Sequence, residues 1–277
     1  MTALEDWRDG LAAMAIPKEI LAAAPESPWG YPTELFRRRV EATRREPSAL
    51  VERALDALPE AGAVLDVGVG GGATSLPLAA RAARITGVDS SESMLESFRA
   101  SALEAGVEAV AIQGSWPDVA GHVEPADVVV CGHVLYNVGD LAPFAGALTD
   151  HARRRVVVEI TGSHPLAWMS DLWRRFHGMD RSAGPTADDA EAALRELGLT
   201  VDREDREIEP RSGGFDRRED AVALVRRRLC LPADRDAEIA EALGDRLAER
   251  GGSWSAGPTT QPIVTISWPG TARADPE

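Results

Sequence analysis

Residues 64–73 read VLDVGVGGGA, an apolar run that passes through Asp66 and breaks into Gly68, Gly70, Gly71 and Gly72. A strand that runs straight into glycines and then a helix brings backbone N–H groups and a helix N-terminus against a ligand. Gly68, Gly70 and Ala73 also satisfy the G-x-G-x-x-G/A spacing of dinucleotide sites, although in a chain with 25 glycines a plain tight turn meets the same pattern. Asp66, two residues before Gly68, would repel a pyrophosphate and can pair with an amino group, which favours a cationic ligand. Asp89 closes the next apolar run, in GVDSSESML, where a carboxylate can accept both hydroxyls of a ribose. That chemistry suits any nucleoside-containing cofactor.

These residues need a scaffold that delivers several loops to one edge. Short apolar runs at 64–67, 84–88, 107–113, 126–131 and 155–160 alternate with helical segments at 74–83, 91–105 and 141–152. The alternation predicts an α/β fold, a parallel sheet with right-handed crossovers and strands covered on both faces. Pro77 predicts a slight kink in the first crossover helix. Further on, the pattern predicts helices at 165–176 and 186–197, the second capped by Thr186, and a strand at 199–209. Helices at 217–229 and 233–250 follow, then a last strand at 262–268 that can return antiparallel beside 199–209. Ahead of the sheet, 4–58 reads as helical, with Leu11, Met14 and Ala15 on one stripe and further helices at 35–45 and at 48–58, where Ser48 can cap. The predicted organisation is an N-terminal helical cap at 1–62, a main domain at 63–270 with helical insertions at about 165–197 and 211–256, and a frayed tail at 271–277.

In order and in spacing, VLDVGVGGG, GVDSSESML and ADVVVCGHVLYNVGDL resemble the class I S-adenosylmethionine-dependent methyltransferases, over residues 64–160. The resemblance implies a Rossmann-like, seven-stranded, mostly parallel sheet of order 3-2-1-4-5-7-6 with helices on both faces. It also implies S-adenosyl-L-methionine as cofactor and methyl transfer to a small-molecule acceptor at O or N. Carried over residue by residue, Asp66, Gly68, Gly70 and Gly72 line the methionine part, Asp89 holds the ribose, and Ser90 and Met94 flank ribose and adenine. Gly114 stands where the family often has Gly-Asp, but Ser115 replaces the acid, which leaves Ser115 to bond the base and Trp116 either to stack on it or simply to pack. Cys131, Gly132 and His133 match the segment that passes the sulfonium end.

Methyl transfer from a sulfonium is an in-line displacement that asks for alignment and exclusion of water, and no metal. A hydroxyl or protonated amine acceptor benefits from a base, for which histidine is suited near neutral pH. His133, just past the fourth strand, is the first candidate base, with packing beside the cofactor as its plain alternative. His164, just past the fifth strand in EITGSHPLAW, is the second. Tyr136 and Asn137 read as packing and capping, Trp168, Leu172 and Trp173 as core, and His122 and His151 as solvated.

Acidic residues outnumber basic ones 45 to 30, a net charge of −15, which opposes a nucleic-acid partner or an anionic membrane surface and favours a small molecule. The arginine runs 37–39, 153–155 and 226–228 read as solvated faces, with Arg37 or Arg38 able to reach a cofactor carboxylate; Trp29 and Tyr31 could close over the site. Cys131 and Cys230 are too few and too far apart for a disulfide framework or a cysteine zinc site, and Cys131, preceded by Val130, reads as a buried hydrophobe. No secretory signal or membrane-length apolar run is evident, so a cytoplasmic protein is expected. Two alternatives stay open on residues alone: an NAD(P)-dependent oxidoreductase, which the G-x-G-x-x-A spacing and Asp89 formally fit, and a non-catalytic S-adenosylmethionine-binding module.

Overall fold

The computed structural model describes residues 2–29, 47–209 and 214–272; the expected helix at 35–45 and residues Tyr31, Arg37, Arg38 and Arg39 lie outside them. Five parallel strands run in the expected places: β1 (Gly62–Val67), β2 (Ala82–Asp89), β3 (Glu108–Gln113), β4 (Ala126–Gly132) and β5 (Ala152–Thr161). β6 (Asp202–Ile208) and β9 (Gln261–Pro269) complete the sheet, with β9 antiparallel to both β5 and β6. The order β3-β2-β1-β4-β5-β9-β6 is the one implied by the resemblance, the seventh strand of the sheet being the ninth in the chain. The two extra strands, β7 (Leu247–Arg250) and β8 (Ser253–Ala256), form a separate hairpin.

Alternation along the strands splits the core in two, because successive side chains point to opposite faces. Val64, Ile85, Val128 and Val157 meet Leu50 and Ala54 of α3 (Ala49–Ala57) and Leu95 and Phe98 of α4 (Glu92–Ala105). On the other face, Leu65, Val129, Val158 and Ile266 pack with Phe144 and Leu148 of α5 (Leu141–His151) and Leu194 of α7 (Ala187–Glu196). Trp7 of α1 (Ala3–Ala12) is buried in this second cluster, where its indole N–H donates to the Val138 carbonyl at 2.8 Å. A third cluster joins Leu172 and Trp173 of α6 (Ser170–His177), Val222 and Val225 of α8 (Arg218–Arg228), Ile239 and Leu243 of α9 (Asp236–Leu243) and Leu247 of the hairpin.

Several expectations need correction. The helix expected at 74–83 is only a 3-10 turn, Leu76–Leu78: Pro77 supplies no N–H, and β2 begins at Ala82, too soon for a regular helix to form. The helix expected at 233–250 is cut to α9, because Gly244 takes φ +52 and the chain then enters β7. Gly251 and Gly252, at φ +57 and +79, make the two-residue hairpin turn that pairs Arg250 with Ser253. The helix expected at 165–176 starts only at Ser170, after a 3-10 turn. Nor are Arg226, Arg227 and Arg228 solvated. Arg226 bridges Glu26 and Asp236, Arg227 pairs with Glu26, and Arg228 donates to the Pro28 carbonyl, which pins residues 26–28 and the short α2 (Lys18–Ala23) before them near α8. At the other end, the backbone N–H groups of Thr271 and Ala272 donate to the carbonyls of Thr149 and Ala152. Among the described residues no helix is long and apolar enough to cross a membrane.

Candidate functional site

A cavity of about 1250 Å³ opens at the carboxyl ends of β1, β2, β4 and β5, where open α/β sheets bind ligands. β1 delivers the glycine loop to it. Gly68 sits at φ +76, and a Cβ there would lie 2.3 Å from a methyl of Val134, so both backbone angle and space demand glycine. The loop is tied to β2: Gly68 and Val69 donate to the Val88 carbonyl at 2.8 and 3.1 Å, and Gly70 donates to Asp89 Oδ2 at 2.9 Å. Asp89 Oδ1 accepts from the Ser91 N–H at 2.9 Å. A carboxylate has about four lone-pair sites, so each Asp89 oxygen keeps capacity toward the cavity that it borders.

The expected cofactor residues fall into two groups. Gly68 and Gly70 border the cavity, as do Asp89 and Ser90 at the end of β2 and Met94 in α4. Gly114, Ser115 and Trp116 border it after β3, and Gly132 and His133 after β4. Asp66, Gly72 and Cys131 do not. Asp66 shares the strand face of Val64, packed toward α3 and α4, and is fully buried with neither oxygen in a hydrogen bond of ordinary geometry. Burial pushes its carboxyl up to about 7, and the Asp89 charge adds to the shift while nearby Ser75 opposes it. Asp66 therefore does not line the cavity, against the expectation that it pairs directly with a ligand amino group. Cys131 is buried in the sheet core, and burial raises its thiol well above the usual range.

Trp116 is held in place, its indole N–H donating to the Phe144 carbonyl at 3.3 Å and its ring meeting His151 edge-on at 4.9 Å. His151 is not solvated: its two ring nitrogens lie 2.8 and 3.0 Å from the carbonyls of Ala147 and Ala120. His122 is exposed, and His177 stacks on Trp173 in the third core.

The two candidate bases differ. His133 adopts φ +61, its N–H donates to the Glu159 carbonyl at 2.7 Å, and its Nε2 stands 3.3 Å from Glu159 Oε1. His164 also borders the cavity, but its Nδ1 accepts the Leu166 N–H at 3.2 Å, and burial together with the Arg181 charge lowers it to about 4. A ring whose lone pair is engaged and whose proton affinity is that low is a poor base, which counts against the second candidacy. Tyr136 joins the same rim through a 2.7 Å hydrogen bond from its hydroxyl to Thr161 Oγ1 and an edge-on contact with His164 at 5.7 Å.

Sequence reasoning missed Glu159. Its signal was an acid inside the apolar run VVVEI, at the carboxyl end of a strand. It also missed the far wall of the cavity, formed by Leu166, Trp168, Met169, Phe215, Val225 and Trp254. Trp168, expected in the core, lies on this wall, with Arg246 over its ring at 5.7 Å. Phe215 and Trp254 exchange two backbone hydrogen bonds of 2.7 Å, which adds a third segment to the hairpin. Trp29 stands at the edge of the cavity, 57% exposed.

Residues 64–156 match the family described as Methyltransferase domain. The ubiquinone biosynthesis O-methyltransferase of Aeromonas salmonicida is 34% identical over 109 residues, 38% of this chain and 46% of that protein. Its namesake from Rickettsia canadensis is 33% identical over 90 residues, 32% of this chain and 38% of that one. The chain thus matches less than half the length of these curated relatives. Among solved structures, the YcgJ protein of Bacillus subtilis superposes with a TM-score of 0.52 at 18% identity, covering 81% of this chain and 98% of that one. A cyclopropane-fatty-acyl-phospholipid synthase-like protein of Lactobacillus casei gives 0.53 at 16% identity, covering 90% and 97%. These likenesses concern the fold.

Proposed function

We propose that this chain, a class I S-adenosylmethionine-dependent methyltransferase by its motifs, sheet order and matched domain, transfers a methyl group to a small-molecule acceptor in the described cavity. The observation that carries the reading is the continuity of one cavity from the glycine loop and Asp89, past His133, to a wall of aromatic and aliphatic side chains. The cofactor supplies an activated methyl group on a sulfonium. Its ribose hydroxyls would meet Asp89, its adenine the Met94, Ser115 and Trp116 side, and its methionine part the backbone of Gly68 and Gly70, which no Cβ obstructs. Asp66 lies buried behind the loop and does not line the cavity. The O-methyltransferase names of the matched relatives favour oxygen as the accepting atom.

The rest of the chain serves enclosure in this reading. The cap at 1–62 is supported by Trp29, Ser48 and Ala49 bordering the cavity, and the insertions at 165–197 and 211–256 by Trp168, Phe215 and Trp254. Excluding water matters because it would compete with the acceptor and weaken every electrostatic contact inside. The oxidoreductase alternative loses ground to the matched domain. Asp89→Ala tests the reading. Loss of the ribose hydrogen bonds should weaken S-adenosylhomocysteine by roughly 1.5–3 kcal/mol, about tenfold to a hundredfold by calorimetry. Unchanged affinity would remove Asp89 from the site.

A further inference from the structure

We infer that the acceptor carries an anionic group, a carboxylate or a phosphate ester, and that Arg250 receives it together with Ser255 on the hairpin of β7 and β8. The inference rests on the methyl-transfer reading above and narrows its substrate class.

The charges that border the cavity are divided between its two sides. The acids come from the sheet: Asp89 ends β2, Glu159 lies in β5 and Glu209 follows β6. Arg206 of β6 also borders the cavity, paired with Glu52 and Glu204. The insertion at 211–256 brings Arg228 and Arg250 to the cavity and no acid, although it carries Glu219, Asp236, Glu241 and Glu249 elsewhere. In a chain of net charge −15, the insertion side of the cavity is thus positive where the protein as a whole repels anions. Arg250 also differs from its neighbours in the insertion. Arg226 meets Glu26 and Asp236, Arg227 meets Glu26, Arg235 meets Glu238 and Arg246 meets Asp171. Among the described residues no carboxylate pairs with Arg250. Its Nη1 donates to Ser255 Oγ at 3.1 Å, which engages one N–H of a planar fork suited to gripping two oxygens at once.

Hairpin register gathers the donors. Arg250 pairs with Ser253 and Ala248 with Ser255, so Arg250, Ser253 and Ser255 share one face, while Leu247 on the opposite face is buried in the third cluster. All three border the cavity. Ser253 Oγ donates to the Arg250 carbonyl at 3.3 Å, whereas the Ser255 hydroxyl accepts from Arg250 and gives its own proton to no acceptor among the described residues. An anion there would meet guanidinium N–H groups and a hydroxyl, the charge-assisted contacts that are stronger than neutral ones. The hairpin root is pinned. Arg246 grips both oxygens of Asp171 at 2.9 and 2.8 Å, and its carbonyl accepts the Gly257 N–H at 2.9 Å. Donors on a pinned element lose little freedom when a ligand arrives. Trp168, Leu224 and Val225 offer apolar surface to the rest of the acceptor. A cationic acceptor would be repelled by Arg228 and Arg250, and a neutral one would displace water from the Arg250 guanidinium without replacing its hydrogen bonds.

The test uses the full chain saturated with S-adenosylhomocysteine and four probes of one ring system, titrated by calorimetry: 2-naphthoate, 2-naphthyl phosphate, the neutral 2-naphthamide and the cationic 2-naphthylmethylamine. At least one of the two anions should bind about tenfold or more tightly than the amide, with the amine weakest, and the rank of carboxylate against phosphate assigns the group. The advantage should shrink as NaCl rises from about 20 to about 300 mM. Arg250→Gln should bring the anions to within about twofold of the amide, leaving the affinities for the amide and for S-adenosylhomocysteine in place. If Arg250→Gln does not fold, Ser255→Ala, which removes the hydroxyl beside the guanidinium, must weaken the preferred anion and not the amide. Equal binding of amide and anions, no binding of either anion to protein that holds S-adenosylhomocysteine, or an anion advantage that survives Arg250→Gln overturns the inference. Failure to bind S-adenosylhomocysteine overturns the methyl-transfer reading itself.

Discussion

Replacing Asp66 by asparagine takes a titratable proton out from under the glycine loop at nearly constant volume. Burial is the main reason the carboxyl is pushed up from 3.8 to about 7, with the Asp89 charge acting in the same sense and Ser75 opposing both. Between those two values the unfolded chain gives up a proton that the folded protein keeps. Stability from this group therefore falls as pH rises through the window and is unaffected below it. The difference, 7 − 3.8 = 3.2, corresponds at about 1.36 kcal/mol each to a loss of roughly 4 kcal/mol by the top of the window. The neutral amide of Asp66→Asn escapes this loss. The variant should match the wild type near pH 4 and exceed it by a few kcal/mol at about pH 7 and above. Urea unfolding of both proteins at several pH values across the window measures the difference directly. Parallel pH dependences in the two proteins would mean that the Asp66 carboxyl is not raised by folding.

Other substitutions probe the rest of the site. Gly68→Ala must place a Cβ 2.3 Å from a Val134 methyl at φ +76, and should lower the thermal midpoint and weaken S-adenosylhomocysteine binding together; an unaltered midpoint would count against the loop geometry. Trp254→Ala removes part of the far wall and should raise the acceptor KM by about tenfold or more while leaving S-adenosylhomocysteine affinity in place, and equal loss of both would show that the wall belongs to the cofactor. His164→Ala should keep most of the transfer rate, because the ring is a poor base; a ~10²-fold loss would restore His164 as a proton acceptor.

How far these features could be read beforehand depends on the kind of signal. The strands at 64–67, 84–88 and 126–131 were legible because each is a short apolar run closed by turn residues, and the sheet order came from the resemblance those runs carry. Asp89 was legible because its position at a strand end fixes its depth. Asp66 was not: spacing places a residue along a strand, but the two-residue alternation sends Asp66 to the face of Val64, outside the lining of the cavity. Glu159 was missed because one acid in an apolar strand has no periodic signature, and only the register with Gly132 brings it to His133. The hairpin at 247–256 was hidden by apparent helical spacing across 233–250, although Gly244 and the Gly251-Gly252 pair marked the break. The first crossover failed as a helix at Pro77, whose effect exceeds the kink expected.

Parallel calorimetric titrations of the purified protein with S-adenosylmethionine, S-adenosylhomocysteine and NAD distinguish the cofactors that the cavity could take. Saturable binding of both sulfur nucleosides, lost or weakened in Asp89→Ala and absent for NAD, is the expected result. Binding of NAD without either sulfur nucleoside would contradict the assignment of the site.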